Sequence, residues 1–467
     1  MQKLLLSQAP QLRRLLSGAL LLALAFPPCL RAMSYLPVAD ASLVERSPLI
    51  VLGEVTPVPG DADADAAHYQ LRVDEVLKGA LTQSSVGLRV PGAADGLRAG
   101  ALVVPGAPRF AEAERVLLFL VRRADGEYEV ADLAQGAFHQ RTGADGAPVL
   151  VRQLDGAEAL GGGDTQAKAE AAGLVRDLGR FRAWVLGASS GAAVATDYWS
   201  AAPPPADARK FATSGSPPAR WFEFDEGRSV TLYAGVADQV GLAGGGRIEF
   251  QQALQAWNND PGSRVLLAYG GVTTAAAGLG SRDGVSQILF NDPRGDLAGT
   301  FDCAHGGILA VGMWRSSGVR QSNGRSFQAI VEGDIVVQDG AGCALSSLTR
   351  AGVETFAHEV GHLLGLAHSC GDDGQAACGA GSAQDAALMR PTLHADGRGA
   401  ALGADDRAGI AFLYPQPGST TAPAQAPSSP DVAAAAAPVS GGGGGAFAPW
   451  VVILLLVGRG LRRSYKS

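Results

Sequence analysis

His358-Glu359-Val360-Gly361-His362-Leu363-Leu364-Gly365-Leu366-Ala367-His368 is the stretch on which the reading turns. Residues four apart on a helix share one face, about one turn from each other. His358 and His362 can therefore reach the same tetrahedral zinc ion. Glu359 follows the first of them and lies beside that ion, where it can take a proton from zinc-bound water. Zinc brings the pKa of such water to about 7, so a nucleophile is available at neutral pH. Gly365 sits where the helix must stop. A glycine can adopt the left-handed conformation that turns the chain, and His368 then returns as the third ligand. Structural zinc sites fill four positions with protein atoms, whereas three leave one for water and substrate. Three of the seven histidines of the chain fall in these eleven residues.

The full pattern resembles the zinc signature of the metzincins, within which the matrixins are the nearest in form. Ala387-Leu388-Met389-Arg390-Pro391 fits the methionine turn of that group, and Asp405-Asp406 fits the start of its last helix, which runs to Tyr414. The resemblance spans roughly residues 220 to 415. It implies an α+β catalytic domain with a twisted mixed sheet and three main helices. It also implies a zinc endopeptidase in which His358, His362 and His368 bind the metal, Glu359 is the base and Met389 forms a hydrophobic floor.

The chain departs from that pattern in two places. His305 stands outside any histidine-rich segment, so a second zinc is not expected. No cysteine lies between Cys29 and Cys303, which rules out a thiol switch. Asn291, Asp292 and Asp296 offer oxygen atoms to calcium, but they also suit a surface turn. His394 reads as a solvated loop histidine.

Ahead of this domain, residues 36–187 read as a separate β-rich unit. Pro48 to Val55, Tyr69 to Leu77, Val86 to Val90, Val116 to Arg122 and Tyr128 to Val130 are short apolar runs separated by Gly, Pro and Asp. They suggest a small antiparallel barrel or sandwich. Gly53-Glu54-Val55, Val76-Leu77-Lys78-Gly79 and Leu117-Leu118-Phe119-Leu120 loosely resemble OB-like barrels, including those of metalloprotease inhibitors. Asp164 or Thr165 can cap a following helix whose apolar face is Leu174, Val175, Leu178, Phe181 and Val185, with Gly187 as its stop. Residues 188–217, rich in Ala, Ser and Pro, read as a linker. Within the catalytic part, Val230 to Tyr233, Val265 to Tyr269, Ile288 to Phe290, Gly306 to Val311 and Asp334 to Val337 are strand candidates. Ile248, Phe250, Ala253, Leu254 and Trp257 recur at helical spacing. The strand near Gly306 to Val311 is expected to pair with extended substrate.

The chain has 467 residues, too many for one ordinary core. A net charge of −7 without a basic stripe gives nucleic acid no electrostatic footprint. Lys3, Arg13 and Arg14 precede an apolar run from Leu15 to Phe26, and Ala32 suits the residue before a cleavage site, so residues 1–32 read as an export signal. Cys303, Cys343, Cys370 and Cys378 then remain, an even number in an exported protein. Three pairings exist. The short Gly-rich loop favours Cys370–Cys378, which leaves Cys303–Cys343.

Residues 416–445 have linker composition, and residues 446–467 are an apolar stretch with a basic end. That stretch is shorter than the roughly 20 residues of a stable span. It resembles a Gly-Gly sorting tail of a Gram-negative bacterium, inserted transiently and trimmed by an intramembrane protease. The expected protein is thus exported, to the cell surface or beyond, and acts on proteins or peptides. A surface-binding or adhesion protein that keeps the metal fold without turnover is the alternative. Residues 36–187, placed before the catalytic part, are expected to restrain it.

Overall fold

A computed structural model describes residues 33–417 apart from 144–145, 153–156, 160–174, 193, 201–211, 216, 300, 348–349, 371–377, 379–380, 392 and 395. The export signal, the C-terminal tail and the helix caps expected at Asp164 or Thr165 lie outside the described residues, as does much of the linker. Among the described residues no helix is long and apolar enough to cross a membrane.

The chain enters as strand β1 (Met33–Leu36) and helix α1 (Asp40–Arg46). Then come β2 (Leu49–Pro57), β3 (Ala66–Lys78), β4 (Ser85–Pro91), β5 (Leu102–Val103), β6 (Glu114–Arg122) and β7 (Tyr128–Val130). β2, β3, β4, β7 and β6 pair in that order, and β6 also pairs with β2, so the five strands close on themselves. This is the first, second, third, fifth, fourth connectivity of an OB-like barrel. Side chains alternate across each strand. Val51, Leu71, Leu88, Leu118 and Leu120 fill the interior. Ile50, Leu117 and Phe119, from the opposite face, pack outside it.

That outer face is covered by β8 (Ala137–Thr142), β9 (Pro148–Arg152), β10 (Ala157–Ala159), β11 (Val175–Asp177), helix α2 (Leu178–Ser189) and β12 (Trp199–Ser200). β10 is the exception, since it joins β1 in the other sheet. Phe181, Trp184 and Val185 of α2 meet Phe119 and Phe138. The helix starts later than its apolar spacing suggested. Val175 is in β11, paired with β9 and β12, and Asp177 caps the helix by accepting from the Arg180 N–H at 2.8 Å. Sheet pairing thus takes the residues that periodicity assigned to the helix. Nor does the helix stop at Gly187; it runs to Ser189.

The part of the chain from Ala219 onward is a mixed sheet with helices. It contains β13 (Ala219–Trp221), β14 (Val230–Gly235), helix α3 (Arg247–Asn258), β15 (Leu267–Thr273), β16 (Gln287–Leu289), β17 (Gly307–Ser322), β18 (Arg325–Val337), and helices α4 (Gly342–Ser347), α5 (Ala351–Leu363) and α6 (Ala404–Leu413). The sheet runs β10-β1-β17-β18-β16-β14-β15. β18, β16, β14 and β15 are parallel and β17 is antiparallel to β18. The fold class is therefore α+β. Along α3, Phe250, Ala253, Leu254 and Trp257 are buried as their spacing predicts, whereas Ile248 is exposed. The β17–β18 hairpin is longer than its strand signals suggested. It turns at Asn323-Gly324, both with positive φ, as a two-residue hairpin requires.

Both expected disulfides form, Cys303–Cys343 and Cys370–Cys378. Such bonds suit an oxidising compartment.

Residues 36–46 tie the two sheets together. Asp40, fully buried, accepts from Arg152 at 2.6 Å, from Arg176 at 2.8 and 2.9 Å and from the Tyr198 hydroxyl at 3.0 Å. Both guanidinium groups also lie over the Phe138 ring. Removing one partner from a buried ion network leaves the others desolvated and uncompensated, at a cost of about 3–5 kcal/mol. We expect Asp40→Ala to lose about that much stability, read as a lowered urea midpoint of the full chain. A loss below 1 kcal/mol would mean that the network does not hold α1 to the barrel.

Candidate metal centre

Helix α5 is buried along its whole length. Side chains from other elements bond its backbone carbonyls. Trp257 of α3 donates to the Ala357 carbonyl at 2.8 Å, Trp221 to the Leu363 carbonyl at 2.7 Å, and the Tyr414 hydroxyl to the Leu364 carbonyl at 2.7 Å. The helix stops in a Schellman arrangement. Leu366 N–H donates to the Gly361 carbonyl at 3.1 Å and Gly365 N–H to the His362 carbonyl at 2.9 Å. Gly365 has φ of 93°, and a β-carbon there would stand 2.1 Å from the Ala219 carbonyl oxygen. Only glycine fits this position.

The turn brings His368 back against the helix. The Nε2 atoms of His358 and His368 stand 3.0 Å apart, and those of His358 and His362 2.7 Å apart. All three side chains are buried. His358 Nδ1 faces the Leu388 carbonyl at 2.9 Å and His362 Nδ1 the Leu366 carbonyl at 3.0 Å. A carbonyl only accepts, so these Nδ1 atoms carry the protons and the Nε2 lone pairs face inward. Burial, reinforced by the neighbouring histidines, holds His358 and His362 well below the ordinary histidine range, so both rings are neutral. The inward lone pairs of His358 and His362, with His368 Nε2 3.0 Å from His358 Nε2, are a donor set for a cation. The three residues fit a divalent metal, and among the described residues they form the one such group of His, Cys, Asp and Glu.

Glu359 lies beside the triad with its carboxylate fully buried. One oxygen accepts from Gly312 N–H of β17 at 2.6 Å. The other accepts from Ser34 of β1, from its N–H at 3.1 Å and from its hydroxyl. Burial pushes this carboxyl up to about 8, against the pull of those three bonds.

Met389 is buried beneath the helix. A β-carbon at Gly361 would meet the Met389 sulfur at 2.3 Å and Trp257 at 2.7 Å, so Gly361 is the hollow into which the methionine fits. The turn carrying Met389 is held from both sides. Ser369 N–H donates to the Met389 carbonyl at 2.8 Å. Asp406, in the first turn of α6, accepts from Leu388 N–H at 2.7 Å, Met389 N–H at 2.9 Å and Gly403 N–H at 2.6 Å. Asp406 is therefore an anchor of the turn as well as a helix start.

The remaining candidates lie elsewhere. His394 is not a solvated loop histidine: it is buried against Glu354 at 2.8 Å and the Asp385 carbonyl at 3.1 Å. His305 pairs with Asp302 on the surface. Asp292 spends its carboxylate on Asp296 N–H and Leu297 N–H, and Asp296 accepts from Leu279 N–H. Asn291, Asp292 and Asp296 thus stitch a turn instead of converging on an ion. Ser34 and Gly312 were missed from the sequence. Neither belongs to a motif, and only the pairing of Ser34 with Ala310 of β17, far along the chain, brings Ser34 to Glu359.

No known family model matches the chain, and no curated protein matches it significantly.

Asp405, beside the anchoring Asp406, is raised from 3.8 to about 7 by burial and by its charged neighbour. The folded chain therefore holds a proton that the unfolded chain releases near 3.8. Stability from this group is full below that value and falls as the pH rises to about 7. We expect Asp405→Asn to be more stable than wild type at pH 8 and equal to it at pH 4, by urea titration at each pH. An equal difference at both would remove the electrostatic account.

Proposed function

We propose that this chain is an exported zinc-dependent endopeptidase with a metzincin-like catalytic domain nearest in form to the matrixins. The observation that carries the reading is the convergence of three buried histidines beside a buried carboxylate that is not one of them. Zinc suits three imidazole ligands with one position left open. The methionine turn under the triad, anchored by Asp406, agrees with that family, as does the antiparallel strand beside the metal helix. The two disulfides agree with an extracellular setting.

His358, His362 and His368 would hold the metal, which when bound supplies Lewis acidity and acidifies water. Freed from Ser34, Glu359 would act as the base toward the attacking water and would later return the proton to the leaving amine. Its Gly312 bond keeps the carboxylate aimed along β17. An extended substrate would lie antiparallel on that strand, its backbone groups completing the ladder and its carbonyl reaching the triad. The turn at Met389 would orient one ligand ring through the Leu388 carbonyl, which holds His358 Nδ1.

We expect Glu359→Ala to retain stoichiometric metal and lose at least a hundredfold in peptide cleavage, as removal of a positioned base does. His362→Ala should instead lose the metal. Metal analysis beside a quenched-peptide assay separates the two, and wild-type cleavage by the Glu359→Ala chain would sink the catalytic reading.

A further inference from the structure

Strand β1 lies where substrate would lie. It pairs antiparallel with β17, Ser34 opposite Ala310, Tyr35 opposite Ile308 and Leu36 opposite Gly307. Without it, this stretch of β17 would be an open sheet edge, which is a ready template for another extended segment. β1 is not merely adjacent to the site. Ser34 gives both its N–H and its hydroxyl to one Glu359 oxygen, while Gly312 holds the other. Three of the roughly four acceptor positions of this carboxylate are thereby taken, two of them by Ser34, which competes with water for the base. Ser34 and Tyr35 are buried, so the strand also closes the site to solvent.

The arm is held from behind. Val38 N–H donates to Gln135 Oε1 at 2.9 Å and its carbonyl accepts from Arg152 at 3.2 Å. Asp40 is locked by Arg152, Arg176 and Tyr198. Arg46 pairs with Asp132 and reaches the Gly306 carbonyl at 3.3 Å, at the start of β17. The N-terminal β-domain therefore grips the root of a strand whose tip sits on the base of the other domain.

We propose that β1 is a built-in inhibitory strand: the β-domain presents Ser34 to Glu359 and keeps the cleft closed until the arm is withdrawn. The proposal deepens the endopeptidase reading and rests on it for its biological sense, but not for its test. It requires no thiol, in keeping with the absence of cysteine between Cys29 and Cys303.

Ser34→Pro removes both donors at once, because proline has no N–H and no hydroxyl. Ser34→Thr keeps both. The zinc-loaded full chain would be titrated calorimetrically with a tripeptide hydroxamate, a metal-seeking probe that needs the cleft. We expect Ser34→Pro to bind it at least tenfold more tightly than wild type, and Ser34→Thr to match wild type. Hydrogen exchange on the wild-type chain gives a second reading that depends on no variant: saturating probe should deprotect the amides of residues 34–36. Equal probe affinity in wild type and Ser34→Pro, or protection of those amides unchanged by saturating probe, overturns the inhibitory strand. A Ser34→Pro chain that binds metal and probe tightly yet cleaves no peptide leaves the inhibitory strand standing and overturns the protease reading instead.

Discussion

The left-handed turn at Gly365 is the constraint on which the rest of the centre depends. Helix α5 can present two histidines on one face, but a third residue on the same helix would point elsewhere. The chain must reverse within two residues of the last helical one. The left-handed φ of Gly365 allows this, and the Ala219 carbonyl packed against it fixes the direction of exit. The carbonyls freed where the helix ends are then taken by Trp221 and Tyr414. Trp221 ends strand β13 and Tyr414 directly follows helix α6, so the first strand and the last helix of this part of the chain are fastened to the helix carrying the site. Trp221 and Tyr414 are also bonded to each other. Rigidity at the triad is thus a property of the whole domain.

A second consequence follows from burying three imidazoles together. Water cannot reach their inner nitrogens easily, and the rings of His358 and His362 each have a carbonyl that fixes the tautomer. Leu388 supplies one of these carbonyls and belongs to the methionine turn. The turn is therefore part of the metal geometry and not only a floor beneath it. Asp406 holds that turn through two backbone N–H groups, at the expense of a buried carboxylate whose own pKa rises with burial. The adjoining Asp405 accepts no such set of backbone bonds, and burial and the charge of Asp406 raise its pKa as well.

The parts of this arrangement that were legible from the sequence are those written in contiguous residues. The His358–His368 stretch, the turn at Met389 and the apolar spacing of Phe250, Ala253, Leu254 and Trp257 each carry their geometry within a few residues. The five barrel strands were legible for the same reason, since alternation is local. Closure of the barrel was not, because it depends on β6 finding both β2 and β7. The helix start at Leu178 was misplaced because apolar periodicity continues into Val175, and only the pairing of β11 with two neighbours shows where the strand ends. Asn323-Gly324 was a legible hairpin signal that strand spacing alone passed over. His394 looked like a loop residue because its partner, Glu354, is on the metal helix 40 positions earlier.

The least legible feature is the one that most changes how the site behaves. Four residues at the head of the described chain form a strand in the sheet of a domain that begins almost 200 residues later. Nothing in Met33-Ser34-Tyr35-Leu36 is a motif. Its placement follows from two requirements satisfied together. The edge of β17 needs a partner for its backbone groups, and the barrel needs its first segment anchored at Asp40. With Pro37, Val38 and Ala39 as a short span between these points, the chain has little freedom to put anything other than residues 33–36 on that edge. The barrel thus does more than precede the domain that carries the three histidines. By fixing where its own leading segment can go, it determines which residues pair with the edge of β17.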